Sequence, residues 1–167
     1  RLLKVKPSLI SSDLHPAYHS SRVADRLAQK YGARRHPGVQ HHHAHLASCM
    51  AANETDEKVM GIILDGSGYG CDGRLWGFEI MQGDYQSFSR EYSLAYVPLP
   101  GGEQAIRNPW LTAAAYLHTF LGERGYEIAK RFFPQHRQEL AVAAKMLSAR
   151  FNTPLASSCG RLFDAVA

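Results

Sequence analysis

Two apolar stretches joined by a glycine-rich segment constrain the fold most strongly. Residues 58–64, KVMGIIL, have the length and apolar character of a buried strand, and RLWGFEIMQG alternates apolar with polar side chains, as a half-buried strand does. Between them, DGSGYGCDG carries four glycines within eight residues and predicts a turn. DYQSFSREYSLAYVPLP is rich in aromatic residues and predicts a further strand pair. Strands joined by such turns predict an antiparallel meander.

Segments with helical spacing lie on both sides of the meander. SSRVADRLAQKYG predicts a helix with a serine N-cap and with Gly32 as its stop, and KPSLISSDLH and RRHPGVQ predict short extended pieces next to it. After the Gly101-Gly102 break, PWLTAAAYLHTFLG and RQELAVAAKMLSARF place apolar residues at helical spacing. The predicted fold class is therefore α/β, a mixed sheet with helices packed on it.

The composition is that of one globular domain. The chain has 167 residues, 45% apolar and 20% charged, and we expect no membrane span because no apolar run reaches ~18 residues. The 19 Lys and Arg exceed the 15 Asp and Glu without forming a block, so nucleic-acid binding is not expected, whereas a groove for small anions remains open. The three cysteines form no CxxC pair, which predicts reduced thiols in a cytoplasmic protein. The opening arginine and the RLFDAVA ending suggest a piece of a longer protein.

Four histidines lie within five positions in GVQHHHAHLASCM. If residues 40–52 form a helix, His41 and His45 lie on one face, one turn apart, and can share a cation. His42 stands where the zincin pattern H-E-x-x-H has glutamate, so a metalloprotease is not expected. A cation here needs one or two further ligands, typically carboxylates. His42 and His43 would point away from the ligand face and tolerate substitution better. The alternative is that the histidines only pack or cap locally.

Asp65, at the end of the predicted strand, is well placed to complete this histidine site. The alternating glycines after it would let backbone N–H groups approach a phosphate closely, because no side chain intervenes. The segment lacks the Lys-Ser/Thr ending of a P-loop, and a strand follows instead of the helix of a Rossmann fingerprint. It resembles the phosphate-binding hairpin of actin-like ATPases, although ordinary tight hairpins also use Asp-Gly.

Small residues open a predicted helix in SSCGRLFDAVA. Their exposed N–H groups could bind an anion, and Asp164, one turn further on, could reach a ribose hydroxyl. A plain capped helix would have much the same sequence, so both interpretations stay open.

Five motifs occur together: DLHPAYHSSRVA, VQHHHAHLASCMAAN, ILDGSGYGCDGRLWGFEI, VPLPGGEQAIRNPW and SSCGRLFDAVA. In their order and spacing, over essentially the whole chain, they resemble the C-terminal catalytic region of the HypF family, the carbamoyltransferases of NiFe hydrogenase maturation. That region is similar to the tRNA threonylcarbamoyl transferase family. The resemblance implies an actin-like ATPase (ASKHA) fold, of which residues 1–167 would be the N-terminal part. The acylphosphatase, zinc-finger and YrdC-like domains of the full-length enzyme would be absent.

The resemblance also implies a reaction and a partner. ATP and carbamoyl phosphate would be converted upstream to carbamoyl-adenylate. In this domain the carbamoyl group would then pass to the C-terminal cysteine of HypE, as the precursor of the iron-bound cyanide.

Site residues carry over by position. His41, His45 and Asp65 would be catalytic ligands of zinc or iron, and a further aspartate of the family lies beyond Ala167. Gly66, Gly68 and Gly70 would face the phosphates of the nucleotide. Gly160 and Asp164 would lie beside its ribose. Because the three cysteines, Cys49, Cys71 and Cys159, have no evident activating base, we expect them to be buried and the nucleophile to belong to the partner.

Three alternatives remain. An O-carbamoyltransferase acting on a small-molecule hydroxyl would share the histidines and the hairpin. The chain could instead be an inactive module that docks a nucleotide or HypE. A tRNA-modifying role is least favoured, because His42-His43-Ala44 replaces the Glu-Gly that this branch has between the two ligands.

Overall fold

The computed structural model describes residues 5–167, which contain two sheets and six α-helices. The strands are β1 (Leu9–Ile10), β2 (Arg34–Arg35), β3 (Val59–Tyr69), β4 (Leu75–Gly83), β5 (Phe88–Ser93), β6 (Val97–Pro98) and β7 (Leu155–Ala156). The α-helices are α1 (His19–Tyr31), α2 (His41–Ala52), α3 (Glu103–Arg107), α4 (Pro109–Phe132), α5 (Arg137–Ala149) and α6 (Cys159–Val166), and a 3-10 helix, Pro134–His136, precedes α5. None of the helices in this part of the chain has both the length and the apolar character that crossing a membrane requires.

The predicted antiparallel meander is confirmed for β3, β4 and β5, but the further strand pair is not, because β6 pairs with β7 and β5 pairs with β4. β3 pairs antiparallel with β4, and β4 pairs antiparallel with β5. The turn lies later than expected, because β3 continues through the glycines as far as Tyr69. Glycines that alternate with other residues keep the two-residue period of a strand, so the pairing continues past them. The register shifts once, between Leu64 and Gly68. The chain reverses at Gly70, whose N–H donates to Arg74 O at 2.8 Å.

The larger sheet is mixed, as predicted for the α/β class. β7 pairs parallel with β4 and antiparallel with β6. β1 and β2 form a separate parallel pair joined through α1, and the pairing continues as a bridge between Asp13 and Val39. This bridge brings Asp13 next to the start of α2.

The ends of α1 and α2 test the capping predictions. Gly32 ends α1 in the left-handed conformation, with φ of 61°, as expected. The predicted serine cap is wrong: α1 begins after Tyr18, which makes no side-chain cap, and Ser21 Oγ instead donates to His15 O at 2.8 Å. α2 covers the predicted span and is capped by Gln40, whose side chain accepts from the His43 N–H.

The largest hydrophobic cluster holds α2 against the sheet. Leu46 and Met50 from α2 pack on Ile63, Trp76 and Met81 from β3 and β4, and all five are nearly inaccessible to solvent. Each such side chain contributes about 1.5–3 kcal/mol by leaving water. The first turn of α2, which carries the histidines, is therefore held against the glycine-containing end of β3.

α4 contains a sharp bend at Gly122, where φ is 56° and ψ is −136°. After the bend, the backbone passes so close to the preceding turn that a Cβ on Gly125 would lie 1.9 Å from Leu117 O. The predicted helix PWLTAAAYLHTFLG is confirmed, and a second helical segment follows its final glycine.

We predict that Gly125→Ala lowers the free energy of unfolding by about 3 kcal/mol or more, because the methyl group meets backbone that cannot move independently. Gly32→Ala is the control: its Cβ would meet no described atom within 4 Å, so only the left-handed backbone is penalised, by about 1–2 kcal/mol. Urea denaturation of both variants measures the difference. Equal losses would contradict the close approach at Gly125.

Candidate metal centre

Two histidines of α2 and one aspartate of β3 converge. His41, His45 and Asp65 each offer one ligand atom, and the three atoms lie within 4.8 Å of one another. His41 Nε2 is 3.3 Å from His45 Nε2 and 3.2 Å from Asp65 Oδ2. Two zinc bonds of ~2.0–2.2 Å at a tetrahedral angle separate their ligand atoms by about 3.3–3.6 Å. The two separations from His41 Nε2 are therefore close to those between neighbouring ligands of one divalent cation.

The surroundings of the Asp65 carboxylate also favour a bound cation. Its Oδ2 atom is buried and has no hydrogen-bond partner within residues 5–167, although two imidazoles lie nearby. A carboxylate oxygen removed from water without a partner is costly. A cation shared with the two histidines would remove that cost, so the donor set suits the metal that the sequence predicted.

Asp13 orients His41, and the sequence analysis missed it. Its Oδ2 accepts from His41 Nδ1 at 2.8 Å, and its Oδ1 accepts from the His15 N–H at 2.9 Å. We infer that the ring proton of His41 lies on Nδ1, which leaves the Nε2 lone pair free for a cation. Carboxylates commonly orient metal-binding histidines in this way, so an aspartate in the motif DLHPAYHSSRVA was the available signal.

His42 is part of the site, so the prediction that it points away is wrong. Its side chain is fully buried, and Nε2 lies 3.6 Å from Asp65 Oδ2. Because Gln40 Nε2 donates to its Nδ1 at 3.1 Å, the ring proton belongs on Nε2, on the side of Asp65. Burial lowers the pKa of His42 to about 4, so the ring is neutral at pH 7. Packing against β3, which helical spacing does not encode, turns the ring inward.

His43 faces away from the three ligand atoms, as expected. Its Nε2 lies 2.7 Å from Asp84 O, and its ring packs against Phe88 with centroids 4.9 Å apart. It serves to attach α2 to the loop after β4.

The three glycines of β3 and its turn have different surroundings. A Cβ on Gly68 would lie 2.5 Å from His42 Cε1 and 2.6 Å from His41 Cδ2. On Gly70 it would lie 2.1 Å from the Trp76 indole nitrogen, whereas on Gly66 it would meet no described atom within 4 Å. Gly68 and Gly70 are thus needed for packing, and Gly66 faces open space. Their contact with nucleotide phosphates stays a prediction.

α6 begins directly against Asp65 and Gly66. Ser158 caps the helix, and its hydroxyl also contacts the backbone carbonyl oxygens of these two residues. A Cβ on Gly160 would lie 2.8 Å from Gly66 Cα, so the two backbones are in van der Waals contact. Gly160 therefore has a packing role, whether or not it also lies beside a ribose.

Asp164 lies in the second turn of α6, where its Oδ2 pairs with Arg161 Nε at 2.6 Å. It also lines a cavity of about 670 Å³ whose other walls are mainly apolar side chains of α4 and α6. Its predicted contact with a ribose stays a prediction.

The cysteines only partly follow expectation. All three are free, but Cys49 and Cys71 are exposed and only Cys159 is buried, so the prediction of burial is wrong for two of them. Desolvation and the Asp72 carboxylate raise the pKa of the Cys71 thiol. That thiol is accordingly a poor nucleophile at neutral pH.

Comparison with known proteins defines the class of this domain. The HypF Kae1-like domain model matches residues 1–52, and the model of the second subdomain of the Kae1-like carbamoyltransferase domain matches residues 61–167. The chain is 44% identical over 167 residues to carbamoyltransferase HypF2 of Cupriavidus necator, and 42% identical over 170 residues to carbamoyltransferase HypF of Rhodobacter capsulatus. These matches cover 100% and 97% of this chain but 20% and 22% of the two relatives.

Solved structures agree. The crystal structure of full-length HypF in the phosphate- and nucleotide-bound form matches with a TM-score of 0.86 and 42% identity, over 99% of this chain and 21% of that one. The T. kodakarensis HypF structure matches with a TM-score of 0.88 and 36% identity, over 98% and 22%. Fold and site thus define a Kae1-like α/β domain. The chain belongs to the HypF family, and it spans about a fifth of the length of the two relatives described above.

We predict that Gly68→Ala lowers zinc affinity by roughly 10–100-fold, because the methyl group displaces the His41 and His42 rings. Gly66→Ala, on the same strand, should leave zinc affinity within about twofold, because its methyl group enters open space. Competition with a chromophoric chelator measures both. Equal zinc affinity in the two variants would contradict the packing role of Gly68.

We predict that Asp13→Asn lowers zinc affinity by roughly 10–100-fold, because a neutral amide no longer fixes the His41 ring with its Nε2 toward the cation. Asp25→Asn is the matched control, since Asp25 pairs with Arg35 and has a side chain 62% exposed. Isothermal titration with zinc tests this. Parental affinity in Asp13→Asn would remove the orienting role.

Proposed function

We propose that this chain is the part of a HypF-type carbamoyltransferase in which carbamoyl transfer takes place, and that His41, His45 and Asp65 hold a catalytic divalent cation, zinc or iron. The substrates would be ATP and carbamoyl phosphate, used through carbamoyl-adenylate, and the acceptor would be the C-terminal cysteine of HypE. The product would supply the cyanide ligand in NiFe hydrogenase maturation. With three free cysteines, the protein would work in the cytoplasm.

The convergence of three ligand atoms within 4.8 Å carries this proposal. The three ligands of this chain leave at least one position of a four-coordinate cation open, for a substrate oxygen or for the further aspartate expected beyond Ala167. A bound divalent cation would supply charge to offset that of the adenylate phosphate and of the departing AMP. Either zinc or iron accepts imidazole and carboxylate ligands.

Residues of this chain would prepare the site for the transfer. Asp13 holds His41 with Nε2 toward the cluster, and neutral His42 keeps an N–H on the side of Asp65. Because their partners fix these rings before substrate arrives, little reorganisation is needed during the reaction.

The nucleotide would lie along the glycine-containing end of β3 and the start of α6. We assign Gly66, Gly68 and Gly70 to its phosphates, and Gly160 and Asp164 to its ribose. Support comes from the open space at Gly66 and from the contact of α6 with the same strand. The similarity to a HypF structure in a phosphate- and nucleotide-bound form also supports it.

In the transfer step, a cysteine thiolate of the acceptor attacks the carbamoyl carbon. A carbon–sulfur bond forms, the bond between that carbon and the adenylate phosphate oxygen breaks, and AMP leaves with the electron pair. Two of the three cysteines of this chain are poor candidates for the nucleophile, because Cys159 is buried and the pKa of Cys71 is raised. We assign the nucleophile to the partner.

We predict that His41→Ala or His45→Ala in the intact enzyme lowers carbamoyl transfer to HypE by at least about 100-fold, because a site with two ligands retains the cation poorly. Upstream formation of carbamoyl-adenylate should remain measurable. Asp65→Asn should lower metal content as well, since an amide is a poorer ligand. The control is His43→Ala on the same helix. Mass spectrometry of HypE and elemental analysis of the enzyme provide the measurements.

Undiminished HypE carbamoylation in either histidine variant, or parental metal content in Asp65→Asn, would contradict the site. A carbamoyl mass shift on a small-molecule hydroxyl, with none on HypE, would favour the O-carbamoyltransferase alternative. Binding of AMP and HypE without transfer would favour a docking module.

A further inference from the structure

A fully buried carboxylate lies near the candidate metal centre and belongs to no step described so far. Glu79 on β4 is fully buried. Its Oε1 accepts from the Gly77 N–H at 3.1 Å and from Ser157 Oγ at 3.1 Å, and its Oε2 accepts from Arg90 Nε. An isolated charge at such a depth would be strongly unfavourable, so the pairing with Arg90 is a requirement of the fold.

Arg90 uses the rest of its guanidinium to connect separate elements. It donates to Tyr96 Oη at 2.9 Å and to Ser157 Oγ at 3.1 Å. Its plane lies over the Trp76 ring, 4.0 Å from the ring centroid. Only the planar fork of arginine can make these contacts together. One side chain of β5 thereby holds β4, the loop before β6 and the residue that follows β7.

Two of the residues that hydrogen-bond to Glu79, Ser157 and Gly77, connect this network to the backbone of Asp65. Ser157 precedes Ser158, whose hydroxyl contacts the carbonyl oxygens of Asp65 and Gly66. Gly77 donates its N–H to Glu79. It packs so closely against Asp65 that a Cβ on Gly77 would lie 2.5 Å from Asp65 O and 2.9 Å from Ser158 Cβ. The Gly77 backbone lies directly against Asp65 O, and the Ser158 side chain contacts both, so we infer that a shift of Ser157 or Gly77 is passed to Asp65.

A second line of contacts runs through Trp76. Its ring is near both Arg90 and His42, with centroids of the indole and the imidazole 5.9 Å apart. Its Nε1 donates to Asp72 Oδ1 at 2.9 Å, and Asp72 Oδ2 accepts from Tyr96 Oη at 2.6 Å. The network thus extends from Arg90 to the turn after β3 as well as to the buried imidazole.

We propose that Arg90 is a positioning residue for the metal centre, acting through Glu79, Ser157 and Ser158 to fix Asp65 and Gly66. Its effect on catalysis rests on the metal-dependent function proposed above. Its effect on the position of residues 65–68 is independent of that function, and this effect can be measured without metal or substrate.

The test compares Arg90→Lys and Arg90→Met in the intact protein with Lys130→Met. Lys130 pairs with Glu127 on α4, outside the network, and its replacement removes the same charge. We expect both Arg90 variants to bind zinc roughly 10–100-fold more weakly than the parent. In the metal-free state, amide hydrogen exchange should be at least about tenfold faster at residues 65–68 and 158–161, with little change elsewhere in the sheet. Lys130→Met should resemble the parent in both measurements.

A double variant, Glu79→Gln with Arg90→Met, keeps the inference testable if Arg90→Met alone does not fold. It leaves no uncompensated buried charge, so we expect it to fold but still to bind zinc weakly. Parental zinc affinity and exchange in Arg90→Lys, or recovery of both in the double variant, would show that the ion pair serves stability only and would overturn the proposal. If the parent itself bound neither zinc nor iron, the proposed function would fail, and exchange at residues 65–68 would still decide the role of Arg90.

Discussion

The close approach of α2 to the glycine-containing end of β3 is the contact on which the rest of the candidate site depends. Leu46 and Met50 anchor the helix in the main core, and the absence of a side chain on Gly68 gives the His41 and His42 rings room against the strand. Because packed backbones deform little, the ring nitrogens are delivered to Asp65 without a flexible loop. Hydrophobic burial therefore provides the force, and glycine provides the space.

Two carboxylates near this contact illustrate opposite uses of burial. Glu79 is surrounded by donors, and its charge is matched by Arg90. Asp65 is half-buried, with one oxygen that lacks a hydrogen-bond partner within residues 5–167 and faces imidazoles. In a medium of low dielectric constant a satisfied carboxylate stabilises its surroundings, whereas an unsatisfied one attracts a cation. The charge of Glu79 therefore serves the fold, whereas the charge of Asp65 is available to bind a cation.

Local patterns predicted most of the fold. The meander, α2, the long helices of the second half and the stop at Gly32 follow from periodicity and from glycine, which act over neighbouring residues. The errors arise where a distant partner decides. β3 extends beyond the expected turn because β4 pairs with it as far as Tyr69, and the serine expected to cap α1 bonds elsewhere. Helical spacing brought His41 and His45 together, but it could not show that His42 turns inward.

The sequence by itself determined the element types, the pairing of two histidines on one helical face and an acidic residue close to them, because these depend on spacing along the chain. Only the tertiary structure decided that Asp13 orients His41, that Gly68 makes room for two rings and that Arg90 joins three elements beside Asp65. These contacts span tens of residues, and their geometry depends on strand register and backbone separation. Neither is encoded in a local pattern, because both result from packing the whole domain at once.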